Sequence, residues 1–267
     1  MPEGVLKLSL LDIAGAAALV LVAGLVSLGL RLKLEGSLAL GVLRATVQLV
    51  AVGYALTWIF EHPALWLTAL AMVVMTLAAT RAALARAGWA IEGGFVGAFG
   101  TLVLTAGLTA LVGSAVFVGA HPWYHPRCAL PLLGMLLGNG LTGLSLCLDS
   151  LLGSLAEDAE SIEVELALGA SRSEAVREPV QRAVRRGIIP IVNAMMVAGI
   201  VSLPGMMTGQ ILAGAEPVEA VKYQLLILFL IAASTSLACL GVAAFAASRA
   251  IDADACVRPN RLRRRGS

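Results

Sequence analysis

The sequence predicts an all-α integral membrane protein of about seven transmembrane helices, with a helical elbow between the fifth and sixth. Three observations lead there. The 267 residues are 59% hydrophobic and only 13% charged, about half the charged share of an ordinary soluble domain. Mean hydropathy is +0.89. Apolar stretches of about 20 residues, enough to span a bilayer as helix, recur along the chain, and they lack the short alternation of barrel strands.

Seven spans are expected, roughly at 9–30, 38–60, 64–80, 95–119, 128–148, 187–213 and 222–247 of a single transmembrane domain, 1–267. The start, "MPEGVLKLSLLD", lacks the basic region of a signal peptide, so the first span is expected to persist, with Asp12 at the interface. The second carries Arg44 and Gln48, four apart. An arginine within a span costs about 3 kcal/mol unless partnered, so Arg44 should face the bundle interior, as a structural or a substrate contact. The aromatic cluster "HPWYHP" at 121–126 suits an interface, and its prolines argue against a helical His121–His125 metal pair.

Charge sets the orientation. The segments 31–37, 81–94, 149–186 and the tail 248–267 carry 15 of the 19 basic residues. Lys7, Arg127 and Lys222 fall on the other side. The C-terminus and the 149–186 loop are therefore expected on the cytoplasmic side, with the N-terminus outside. The "RLRRR" run at 261–265 suits anionic lipid. Cys128, Cys147, Cys239 and Cys256 form no C-x-x-C pair and imply neither a disulfide framework nor zinc.

The loop at 149–186 is the one substantial soluble stretch. Leu155, Ala159, Ile162 and Leu166 recur at helical spacing among acidic residues. Gly169 can end that helix, and Ser171 with Glu174 forms an S-x-x-E capping box for the next. A solvated connector and a docking elbow both fit.

Spans five and six share a pattern. "GMLLGN" places Gly134, Met135, Gly138 and Asn139 after Pro131, and "PGMMTGQ" places Gly205, Met206, Met207, Thr208, Gly209 and Gln210 after Pro204. Met135, Asn139 and Thr142 fall on one helix face, and Asn193 adds an amide beside Met195 and Met196. G-x-x-x-G admits close helix approach. Pro204, in mid-span, should free the carbonyl of Ile200. The expectation is a gate or path lined by Met135, Asn139, Thr142, Asn193, Met206, Met207, Thr208 and Gln210, with Arg44 and Gln48 as further candidates. Pro204, Gly205, Gly209, Gly134 and Gly138 would be its hinges. Packing without transport remains the plain alternative.

"GMLLGNGLTG", "ELALGASRSEA" and "SLPGMMTGQILAGAEPVEAVKYQLLILFL", with Arg44-x-x-x-Gln48-Leu49, resemble the FetB-type family of ABC-transporter permeases, associated with iron export and related to plant aluminium-tolerance permeases. "EVELALGAS" is similar to the E-A-A-x-x-x-G loop of such permeases, with Val164 and Glu165 replacing the two alanines. The resemblance implies a homodimer with a separate cytoplasmic, FetA-like ATPase that docks on Glu163, Glu165, Gly169, Ala170 and Ser171. ATP and magnesium would sit on that partner, because this chain has no G-x-x-x-x-G-K-[ST] loop. No cofactor is expected on the chain itself, and no metal-ligand set is assigned. Thioethers favour soft ions more than iron; the resemblance to plant relatives connected with a nucleotide sugar keeps an anionic solute open, which Arg44 would suit. A secondary transporter would favour buried carboxylates in its spans, and a non-transporting scaffold would leave the paired motifs without a purpose.

Overall fold

The computed structural model describes residues 9–250 and the backbone of 262–264. Helix α1 (Leu10–Gly29) starts at a capping box: the Ser9 hydroxyl accepts from Leu11 N, and Ser9 N donates to the Asp12 carboxylate at 2.8 Å. Asp12 is thus a cap partner. The turn to α2 (Glu35–Glu61) puts Arg31 and Lys33 at positive φ. Buried Ser27 pins this turn, donating to Glu35 and accepting from Leu34 N, both at 3.1 Å.

Helix α3 (Leu65–Arg86) buries three threonines, Thr68, Thr76 and Thr80. Each donates its hydroxyl to the carbonyl four residues back, so the polar group enters the core with its partner. A short strand β1 (Trp89–Ile91) follows, paired antiparallel with β2 (Leu262–Arg264) in the register Trp89–Arg264. The amide of Gly88 donates to Asp149 at 2.9 Å and ties this loop to the helix that carries Asp149. The next span runs through α4 (Gly94–Leu102) and α5 (Leu108–Val112), with π-helical turns at Val103–Gly107 and Gly113–Phe117.

The centre of the molecule is α6 (Pro126–Glu157), 32 residues long. That is about 48 Å at 1.5 Å per residue, well beyond a hydrocarbon core of about 30 Å. Its inner stripe, including Leu133, Leu136, Leu144, Leu148, Leu151 and Leu155, is fully buried. Helices α3, α9 (Arg177–Val197) and α11 (Pro217–Ala250) pack around it. Small residues allow the closest crossing: a β-carbon on Gly187 would lie 2.7 Å from the Cys239 sulfur and 2.7 Å from the Gly143 carbonyl.

Beyond α6 the chain turns through α7 (Ala159–Ala167) and α8 (Arg172–Ala175) into α9. Leu155 and Ile162 are buried, and Leu166 and Ala159 pack against the same core. The helix–turn–helix expected from the spacing therefore forms.

Among the described residues, six helices are long and apolar enough to cross a membrane. The expected span at 187–213 is not one of them. Helix α9 stops at Val197, Gly199 takes φ +83, and Gly199 N bonds Ser202 O at 2.9 Å. A short α10 (Gly205–Leu212) then begins after Pro204, which occupies its N-cap position. Pro204 therefore starts a helix where it was expected to interrupt one, and no helical carbonyl at Ile200 is left over. The fifth span is not broken either, since α6 runs straight through Pro131, Gly134 and Gly138.

Candidate functional site: a thioether cavity and a helical elbow

At the end of the bundle where α6 begins, a cavity of about 330 Å³ opens between α6, α10 and α11. Arg127, Cys128 and Met135 line it from α6, Met206 and Gln210 from α10, and Tyr223 from α11. Cys128 and Met135 are seven residues apart, so one helix face presents both sulfurs. The break at 198–204 lets α10 depart from the line of α9 and offer Met206 and Gln210 at i, i+4. The side-chain oxygen of Gln210 is buried and has no hydrogen-bond partner among the described residues. Such an orphaned acceptor costs about 1–3 kcal/mol until something donates to it or coordinates it. The Arg127 guanidinium stacks on Phe60, 5.6 Å from the ring centroid. His125 caps α6 by accepting from Arg127 N at 3.3 Å.

The paired motifs thus contribute Met135, Met206 and Gln210 to one cavity. The other expected lining residues lie elsewhere. Asn139 is exposed and donates to Met135 O at 2.9 Å. Thr142 donates to Gly138 O, and Thr208 to Pro204 O. Met207 is half-buried beside Thr208 on α10, and Asn193 is exposed on α9. Arg44 and Gln48 are exposed on α2, so Arg44 does not face the interior of this chain. The reason is that α2 meets the body mainly at its far end, where Ile59 packs with Leu67 and Leu130. The glycines proposed as hinges also lack close neighbours. A β-carbon at Gly138, Gly205 or Gly209 would meet nothing within 4 Å, and one at Gly134 only Met75 at 3.4 Å.

Sequence reasoning passed over Cys128, Arg127 and Tyr223. The i, i+7 relation of Cys128 to Met135 was a readable signal for the first. Tyr223 stands in the family-like stretch "VKYQLL", but its place at the cavity depends on where α10 folds.

At the opposite end, the elbow is built to be rigid. Gly169 takes φ +97, which reverses the chain after α7, and Ala170 N bonds Glu165 O at 3.0 Å. Ser171 caps α8: Glu174 N donates to the Ser171 hydroxyl, while Ser171 N and that hydroxyl donate to the Glu174 carboxylate at 2.8 and 2.6 Å. These bonds hold the Glu174 carboxyl below its ordinary range. Glu163 and Glu165 point outward from α7, and at the tip Leu168 is 84% exposed. Among the described residues no cluster of three or more His, Cys, Asp or Glu could hold a metal ion.

Known proteins resemble the chain over most of its length. A UPF0014 membrane protein of Synechocystis sp. is 37% identical over 80% of this chain and 82% of its own. The "Probable iron export permease protein FetB" of Escherichia coli (strain K12) is 34% identical over 85% of this chain and 86% of its own. "Protein ALUMINUM SENSITIVE 3" of Arabidopsis thaliana is 32% identical over 80% and 77%. No solved structure matches. With the family profile matching residues 10–251, the chain belongs to the Uncharacterised protein family (UPF0014), a family of multi-pass membrane proteins.

Proposed function

We propose that this chain is the permease subunit of an ATP-binding-cassette transporter that exports iron or another metal ion, driven by a separate FetA-like ATPase. The observation that carries this reading is the elbow. An apolar tip, Leu168, stands out between acidic faces on a turn fixed by Gly169 and the Ser171 cap. Exposed leucine on a rigid elbow suits insertion into a cleft of a soluble partner, and α6 and α9 carry its movement into the bundle. The permease named for Escherichia coli supports the same role. In this reading the elbow and the C-terminus face the cytoplasm of a bacterial inner membrane, the N-terminus lies outside, and the broken α9–α10 segment makes a seventh crossing. ATP and magnesium belong to the partner.

A homodimer completes the path. Arg44, Gln48, Asn139 and Asn193 are all exposed on one copy. Measured along the helices from the Ile59–Leu130 and Gly143–Gly187 contacts, they span only about 12 Å of depth. Intramembrane polar groups tend to face protein or a cavity, and a second copy supplies both. Arg44 then acts at the dimer seam, away from the cavity.

The test is ATP hydrolysis by the chain reconstituted in liposomes with its candidate ATPase. Hydrolysis stimulated by Fe(II) or Cu(I) that Leu168→Glu abolishes, with both proteins still folded, supports the reading. A complex that never forms overturns it.

A further inference from the structure

We infer that the cavity between α6, α10 and α11 is a binding site for a soft monovalent metal ion of the Cu(I) or Ag(I) class. The inference names the cargo class of the site in the proposed permease and rests on that reading for its transport role. The donor set is the argument. Cys128 and Met135 bring a thiol and a thioether from α6, Met206 brings a second thioether from α10, and the Gln210 oxygen is buried without a partner beside them. Thiolate and thioether ligands select soft ions, whereas carboxylate and imidazole suit harder ones. Among the described residues, no carboxylate or imidazole lines this cavity. Methionine side chains are long and unbranched and can close on a small ion inside a space of about 330 Å³. Binding through Cys128 exchanges the thiol proton, released to solvent, for the metal ion, so the site gains no net charge. Arg127, the nearby cation, is drawn toward the face of Phe60.

A lipid chain could also fill an apolar cleft, and methionines often only pack. Neither use gives the Gln210 oxygen a partner or needs a thiol on the same face.

The test is alkylation of Cys128 in the full chain in nanodiscs, read by mass spectrometry on the Cys128 peptide alone, so that the other thiols do not contribute. Silver nitrate in chloride-free buffer should protect Cys128 from the alkylating reagent. In the double variant Met135→Leu with Met206→Leu, at least 10-fold more silver should be needed. Leucine keeps the volume, so the fold is preserved. A second readout is the methionine methyl NMR signals, two of which should shift at one equivalent of silver. Unchanged protection in the double variant would mean that the thiol alone binds, and overturns the site. So would equal protection by ferrous iron under anaerobic conditions, or no protection at all. Association with the ATPase, measured on the same preparations, separates the readings. Failed protection with intact association removes only the soft-ion site, whereas failed association with intact protection leaves a metal site on a chain that is not such a permease.

Discussion

The carbonyl of Gly143 and the α-carbon of Gly187 meet so closely that a β-carbon on Gly187 would stand 2.7 Å from that oxygen. The reverse distance, from a β-carbon on Gly143 to the Gly187 carbonyl, is 2.9 Å. This crossing, with Cys147 and Cys239 against it, fixes α6, α9 and α11 relative to one another.

Gly187→Ala should therefore cost about 1–3 kcal/mol, the usual penalty for overpacking where backbone cannot yield. Gly138→Ala, in open space, should be neutral. Reversible unfolding in mixed micelles distinguishes the two. Equal stability of both variants would show that the crossing is looser than its distances imply.

Arg44→Met should leave the monomer as stable as before or make it more so, because a lipid-facing charge is removed. Dimerisation in liposomes, counted by single-molecule photobleaching, should weaken by tenfold or more. A dimer that ignores the substitution would place Arg44 outside the seam.

Gly169→Val should disrupt the elbow, since φ +97 is strained for a β-branched residue. The expected result is loss of ATPase binding in a pull-down, while the spans remain folded by circular dichroism. Retained binding would show that the docking surface does not need the turn.

The cap at Ser171 makes a pH expectation. Its hydrogen bonds lower the folded-state pKa of Glu174. The support they give the elbow is thus fully present above the ordinary carboxylate value of about 4.3 and is lost as pH falls through the lowered one. Carboxyl NMR should find the Glu174 midpoint below that ordinary value and see it rise in Ser171→Ala. An unmoved midpoint would assign the shift to another cause.

The elements that could be read from the sequence are those set by local chemistry. Apolar runs placed six of the spans, and Ser171-x-x-Glu174 with Gly169 placed the elbow. The same S-x-x-D logic at Ser9 and Asp12 was available and overlooked. The broken segment was misread because Gly199 and Pro204 act together. A turn at Gly199 ends α9 before Pro204 is reached, so the proline heads a new helix. Met135, Met206 and Gln210 were found through a repeated motif, whereas Gly143 and Gly187, 44 positions apart, are linked only by the fold. Arg44 was misplaced because α2 packs on the body near Ile59, at its far end, and leaves Arg44 exposed.

Helix α6 runs unbroken from the sulfurs of the cavity to the start of the elbow. With the Gly143–Gly187 crossing as fulcrum, its arms are about 12 Å to Met135 and about 21 Å to Glu157. The rod is then a reducing lever. A push of about 2 Å at the elbow would swing Met135 about 1 Å the opposite way. That is enough to lengthen a metal–sulfur bond past usefulness without opening the bundle, so cargo could be released by loosening one ligand, with no large pore at any moment.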